Sequence, residues 1–313
     1  MSGIVYFVGA GPGEPQLLTL AAKQILETAQ AVLYDGLVNE LILAFTPPSC
    51  SKICVGKRGN SGDWKQPQIN ELLVDYANRF ESVVRLKGGD PSIFARTSEE
   101  IECLEAAGIQ YQIIPGITAA MAVAATTGIP LTHRDWSSCV ALVAGQFQSH
   151  DETIDPDESI DWQALAHFPG TLVLYMGLAS ASQWSKQLIA HGKPPTTPIA
   201  LIRRCSWPDQ ETLECELGQI QEVLSKKPEF TPPVLGVIGP VVRAKGNNKW
   251  MAKRPSPNQS LFGQTVLVTS PAPQTTRLAQ LLQLQGAQTI LRPALDISPH
   301  NIPQVDAAIE ALF

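Results

Sequence analysis

The stretch Ser82-Val-Val-Arg-Leu-Lys-Gly-Gly-Asp-Pro91 decides how this chain is read. Its first half is an apolar run of strand length, and its second half is a bare, acid-tipped turn. Gly88 and Gly89 have no Cβ, so the backbone can take a positive φ and a bound molecule can lie against the peptide groups themselves. Asp90 offers a carboxylate beside that surface, and Pro91 stops the strand from continuing. A lone Gly-Gly-Asp reads as a tight turn at a strand end; the surroundings of this one give it a binding role.

Working outward, apolar runs of strand length alternate with longer amphipathic segments, the pattern of βα units with parallel strands and hence of an α/β protein. Strands are expected over residues 4–8, 31–34, 82–86 and 110–114. Helices fit between them: 19–29 with Leu20, Ile25 and Leu26 near one face, and 68–79 with Ile69, Leu72, Leu73 and Tyr76 together. A third is expected over 99–107, with Ser98 as N-cap, Glu99 and Glu100 in the first turn, and Gly108 at its end. A second domain is expected from about Ser137, with strands over 139–144, 171–176, 199–203 and 233–238 and an exposed acidic loop over 148–161. Residues 245–260, rich in Lys, Asn, Pro and Ser, read as a linker. Beyond it a strand (265–269), a helix (274–285, with Leu278, Leu281, Leu282 and Leu284) ended by Gly286, and a strand (289–291) make a βαβ start too short to bury its own faces. The domains are therefore set at 1–136, 137–245 and 261–313, with a linker over 246–260.

Composition narrows the class. Hydrophobic residues make up 44% of the 313, enough for cores of this size. There is no apolar stretch of membrane-spanning length and no basic-then-apolar leader pattern, so no membrane is expected and the cytoplasm is the expected compartment. A formal charge of −6 speaks against broad nucleic-acid binding. The six cysteines, Cys50, Cys54, Cys103, Cys139, Cys205 and Cys215, are scattered rather than arranged as a disulfide framework. Cys50 and Cys54 have no second pair or nearby histidine, so no metal is expected.

The opening Gly9-Ala-Gly-Pro-Gly13, with Asp35 some twenty residues on, imitates a dinucleotide-binding fingerprint. Glu14 stands where the third glycine belongs, and Pro12 cannot donate an N–H to a pyrophosphate, so a dehydrogenase is set aside.

In chain order the motifs are Val5-Tyr-Phe-Val-Gly-Ala-Gly-Pro-Gly13, Val32-Leu-Tyr-Asp35, Val55-Gly-Lys-Arg58, the strand and turn above, and Arg96 with Glu99-Glu100. Ile114-Pro-Gly-Ile-Thr-Ala119, Gly128-Ile-Pro-Leu-Thr-His-Arg-Asp135, Leu174-Tyr-Met-Gly-Leu178 and Pro208-Asp-Gln210 follow. Over residues 1–245 this series resembles the tetrapyrrole methylase superfamily, and within it the uroporphyrinogen-III C-methyltransferases. The run Leu261-Phe-Gly-Gln-Thr-Val-Leu-Val-Thr269 resembles the beginning of uroporphyrinogen-III synthase. The resemblance implies a two-domain fold with the active-site cleft between the domains, S-adenosylmethionine as co-substrate, and two C-methylations of uroporphyrinogen III, at C2 and C7, to precorrin-2 for sirohaem or cobalamin. It implies a homodimer as well. Rival readings are a methylase of a later corrin precursor or of a non-tetrapyrrole acceptor, and a catalytically silent tetrapyrrole- or adenosyl-binding protein.

Carried over residue by residue, the resemblance implies that Pro12, Gly88, Gly89, Asp90, Ile93, Thr118, Ala119 and Met176 hold the methyl donor. Cys205 stands near the adenosine, where the family usually has a small residue. An acceptor with eight carboxylates calls for cations, with Arg58, Arg96 and Arg134 as candidates and Met176 also against the substrate. Proton-transfer roles fall on Asp35, Lys57, Arg96 and Glu99. Arginine is a poor base, so Asp35 or Glu99 accepts the proton, Lys57 donates, and Arg96 orients. Two departures stand out: Gly36 occupies a position where the family commonly has an arginine, and Thr97-Ser98 follow Arg96 where glycines are usual.

Overall fold

A computed structural model describes residues 2–56, 64–145, 160–244, 260–261 and 264–295. Two compact units divide the chain, Met1–Arg254 and Pro255–Phe313. In the first unit, β1 (Ile4–Gly9), β2 (Ala31–Tyr34), β3 (Ser51–Cys54), β4 (Ser82–Lys87) and β5 (Tyr111–Ile114) form a five-stranded sheet in the order β3-β2-β4-β1-β5. Every pairing in it is parallel. The connections carry α1 (Leu20–Glu27), α2 (Gln66–Arg79) and α3 (Thr97–Ala106). Because β4 is central, both of its faces are covered. Val84 and Leu86 pack with Ala22 and Leu26 of α1, and Val83 packs with Ile69 and Leu73 of α2 and Leu104 of α3. Register pairs Gly9 with Lys87 and Tyr34 with Leu86, so the turns at 9–13, 35–37, 88–91 and 115–118 all leave the carboxyl edge of one sheet. That edge is where open α/β sheets bind ligands.

Helix α4 (Ala119–Thr127) leads into a second sheet of β6 (Val140–Ala144), β7 (Thr171–Tyr175), β8 (Pro198–Arg203), β9 (Glu211–Glu216) and β10 (Val234–Ile238), in the order β6-β7-β10-β8-β9. Helices α5 (Trp162–His167), α6 (Ala181–Ala190) and α7 (Ile220–Ser225) accompany it. Only β6 and β7 pair in parallel, while β10 runs antiparallel to β7 and β8, and β9 antiparallel to β8. Parallel pairing throughout is therefore a property of the first sheet, and the second is mixed. The edge strand β9 escaped the sequence reading because Glu-Thr-Leu-Glu-Cys-Glu is too polar to read as a core strand.

Two local expectations are corrected. Ser98 is not the cap of α3: that helix starts at Thr97, with Arg96 in the left-handed region (φ 52°) as N-cap, because the buried Thr97 hydroxyl donates to Pro91 O. Leu20 does not join the core face of α1 but is 81% exposed, with Ala22 and Leu26 taking the buried stripe. Thr19 caps α1, its hydroxyl accepting from Ala22 N at 3.2 Å. The acidic loop over 148–161 and the linker over 245–260 lie almost wholly outside the described residues.

In the second unit, β11 (Thr265–Val268), α8 (Ala272–Leu284) and β12 (Gln288–Leu291) form a βαβ unit with the two strands parallel. Leu267, Leu278, Leu281 and Ile290 stay exposed, as expected of two strands and one helix.

Candidate active site

Three glycine turns meet at the carboxyl edge of the first sheet. Gly11 N donates to Gly89 O (3.1 Å) and Gly89 N to Gly11 O (2.8 Å), which zips the first loop to the Gly-Gly-Asp turn. The third turn closes on both, since a Cβ at Gly116 would stand 2.2 Å from Gly89 O and 2.7 Å from Gly9 Cα. Gly89 adopts φ 68°, a conformation that favours glycine. Among the described residues a Cβ at Gly88 would meet only Leu37 Cβ, at 3.8 Å, so on their side the peptide face is open to a ligand. Asp90 is less free than the sequence implied. Its Oδ2 accepts from Gly116 N (2.9 Å) and its Oδ1 from Ser92 N (2.8 Å) and the Ser92 hydroxyl. Burial raises its pKa, but these hydrogen bonds outweigh burial and hold the carboxyl below its ordinary range.

Side chains of the second sheet complete the wall. The Tyr175 hydroxyl, at the end of β7, lies 2.7 Å from Thr118 Oγ1 and accepts from Ala120 N (2.9 Å), satisfying a donor of the first turn of α4. Burial raises the Tyr175 phenol above its ordinary value, so it stays protonated at neutral pH. Phe94 packs on its ring at 5.0 Å. The next residue, Met176, takes φ 56° and is 50% exposed. Backbone held in this region by a non-glycine residue is strained and recurs at ligand clamps and active sites. Cys205 is buried, its thiol turned to Ala119 O (3.7 Å) and near Thr126 Oγ1 (3.4 Å), and burial pushes its pKa up to about 11. Ile93 N donates to Asp90 O, so Ile93 sits in the same turn. Glu14 N donates to Ser206 Oγ (3.1 Å), and a Cβ at Gly13 would strike the Trp207 indole. The loop carrying Pro12 is thereby seated on the segment 204–210. The Pro208-Asp-Gln210 motif braces that segment: Asp209 pairs with Arg204 (2.7 Å) and Arg203 (3.3 Å), and Gln210 Oε1 accepts from Ser206 N (2.7 Å). A continuous set of contacts thus joins Pro12, Gly88, Gly89, Asp90, Ile93, Thr118, Ala119, Met176 and Cys205.

The ionisable candidates fall into two groups. Arg96 and Glu99 form a bidentate pair at the surface, with both contacts at 2.7 Å. Asp35 follows β2, and its Oδ1 accepts from Arg85 Nη2 at 2.6 Å while a third of its side chain stays exposed. Behind it lies a cluster that the sequence reading missed: Arg85, Lys87 and Glu100, all buried. Arg85 and Lys87 are two apart on β4 and so share the face covered by α2 and α3. Charged residues alternating inside an otherwise apolar central strand were the signal that could have found it. Burial works against the Arg85 charge, but Asp35 and Glu100 outweigh it and hold the guanidinium above its ordinary value. Burial, aided by Arg85, lowers the Lys87 ammonium. Arg134 is exposed between His133 and Ser137, and among the described residues no hydrogen bond or ion pair joins it to the glycine turns. Lys57 and Arg58 lie outside the described residues. No cluster of His, Cys, Asp and Glu suited to a metal occurs among the described residues.

Comparison with known proteins follows the same line. The family model for tetrapyrrole (corrin/porphyrin) methylases matches residues 4–221. A Bacillus subtilis uroporphyrinogen-III C-methyltransferase is 40% identical over 292 residues, which is 93% of this chain and 58% of that protein. A Methanosarcina barkeri S-adenosyl-L-methionine-dependent uroporphyrinogen III methyltransferase is 42% identical over 77% of this chain and 92% of its own. The crystal structure of a Thermus thermophilus uroporphyrin-III C-methyl transferase complexed with S-adenosyl homocysteine superposes with a TM-score of 0.65 at 38% identity. It covers 77% of this chain and all of its own. Several of the curated relatives are longer proteins, of which the chain spans little more than half.

Proposed function

The chain belongs to the tetrapyrrole methylase family, and from that premise we propose that it methylates uroporphyrinogen III at C2 and C7, using S-adenosylmethionine, to give precorrin-2. The reading rests above all on the contiguity of the three glycine turns with Thr118 and Tyr175 and on the open peptide face at Gly88, with the exposed, left-handed Met176 next in the chain to Tyr175. Those residues fit an adenosyl ligand: glycine backbones admit close approach, and a thioether packs softly on a sulfonium or an adenine. S-adenosylmethionine supplies an electrophilic methyl group on sulfur.

The chain's own residues do the rest. Pro12, Gly88, Gly89, Ile93, Thr118, Ala119 and Met176 line the donor, Asp90 stiffens the turn that receives it, and Cys205 backs the wall. Arg96, Arg134 and Arg58 meet acceptor carboxylates. As the new carbon–carbon bond forms, the macrocycle loses a proton, and Asp35 accepts it. Asp35 is the better of the two candidate bases because one oxygen is fixed by Arg85 while the side chain stays partly open, whereas Glu99 is held at both oxygens by Arg96. Lys57 serves as proton donor. Gly36 leaves one cation fewer for the acceptor than the family commonly has.

We assign residues 1–136 and 137–245 as the two methylase domains and place the reaction in the cytoplasm, with a homodimer as the working form. No helix among the described residues is long and apolar enough to cross a membrane. The test is an anaerobic incubation of the chain with S-adenosylmethionine and uroporphyrinogen III, following product mass and S-adenosylhomocysteine together. A gain of two methyl groups is expected; donor binding without methylation overturns the reaction.

A further inference from the structure

We propose that Glu100 is a positioning residue for Asp35, acting through Arg85; the inference rests on the methyl-transfer reading above, in which Asp35 accepts the proton. Glu100 is fully buried in the first turn of α3. Its Oε1 accepts from Arg85 Nε (3.2 Å), Lys87 Nζ (3.0 Å) and Gln66 Nε2 (3.2 Å). Its Oε2 also lies 3.0 Å from Lys87 Nζ, but without hydrogen-bond alignment, so this atom is held by charge rather than by direction.

Every arm of the Arg85 guanidinium is committed. Nε meets Glu100, Nη1 reaches Leu33 O and Leu86 O at 3.4 Å each, and Nη2 meets Asp35 Oδ1 at 2.6 Å. Because the guanidinium is a rigid planar fork, fixing Nε and Nη1 fixes where Nη2 points. Asp35 Oδ1 is located by that point, and the carboxylate's remaining freedom is taken up at its exposed side. The charges of the cluster also balance, with two buried cations on β4 against the buried Glu100 and the partly exposed Asp35. Were Glu100 uncharged, Arg85 would lose its charged partner at Nε, and with it the anchor that fixes where Nη2 meets Asp35.

Asp35 touches Arg85 and lies within electrostatic reach of Lys87, both from β4, while Glu100 of α3 meets both cations and accepts from the neutral Gln66 of α2. Among the described residues, Glu100 is the buried charge that touches both cations without touching Asp35. It therefore sets Asp35 from a distance.

The experiment uses the full chain as wild type, Glu100→Gln, Asp35→Asn and the double variant. Initial methylation rates on uroporphyrinogen III are measured across pH, alongside S-adenosylhomocysteine binding by calorimetry. The expected result for Glu100→Gln is a kcat lowered about tenfold or more, short of the ~10²–10⁴ removed by losing the base itself. KM for the acceptor and S-adenosylhomocysteine affinity stay near wild type. In the Asp35→Asn background the same change costs no further activity, since coupled residues are not additive. A wild-type rate for Glu100→Gln, or an equal loss in both backgrounds, overturns the proposal. If Glu100→Gln does not fold, Arg85→Lys, which keeps the charge but cannot bridge Glu100 and Asp35 together, is judged by the same criteria. A wild-type chain that leaves uroporphyrinogen III unmethylated sinks the methyl-transfer reading itself, a result distinct from failure of the Glu100 variants alone.

Discussion

Asp90 and Asp35 are two of the carboxylates the sequence singled out, and the structure holds them differently. Asp90 holds its own turn to Gly116, 26 residues on, while Asp35 stands partly open on a buried arginine. Asp35→Asn is expected to lower kcat by about 10²–10⁴ with little change in S-adenosylhomocysteine affinity, read by steady-state rates and calorimetry. For Asp90 the folded-state pKa is depressed, so its contribution to stability is present above the ordinary carboxylate pKa of about 4 and is lost as pH falls through the lower folded value. Wild type should accordingly outmelt Asp90→Asn at neutral pH, and the gap should close on acidification; a gap unchanged from pH 7 down to the acid end excludes the role. That Asp90 matters was legible from its place after two glycines. Its bond to Gly116 was not, because a backbone N–H in another turn 26 residues on leaves no mark in local sequence.

Among the elements, the glycine turns and the β7 end carry the strongest expectations. Gly116→Ala places a methyl group 2.2 Å from Gly89 O, a backbone atom that has no room to retreat, so a loss of about 1–3 kcal/mol or more is expected together with donor affinity. Chemical denaturation and calorimetry on the same sample check it. Tyr175→Phe keeps the ring against Phe94 but strips Ala120 N and the Thr118 hydroxyl of their partner, at a cost of about 1–3 kcal/mol and a weaker donor site. Unchanged stability there would show that water replaces the phenol. The sequence located β1, β2, β4 and β5 well because each is a short apolar run bounded by glycine, proline or a polar turn. It missed the cap of α3, where a left-handed Arg96 and a hydroxyl bond to Pro91 outweigh the propensity of Ser98 to cap.

For the whole molecule, every candidate site residue falls within the compact unit Met1–Arg254. A chain ending at Arg254 is expected to keep the donor affinity and turnover of the full chain; loss of either would tie the site to residues beyond it. The sequence by itself determined the α/β class, the parallel first sheet, the glycine turns at its carboxyl edge and the family, because these rest on local periodicity, turn chemistry and motif order. Only the tertiary structure decided three things: the mixed second sheet, the seating of the first loop on Ser206 and Trp207, and the buried Arg85–Glu100–Lys87 cluster behind Asp35. Strand direction, loop docking and buried charge pairing depend on residues far apart in the chain, and their energies exist only once packing has excluded water and brought those residues together.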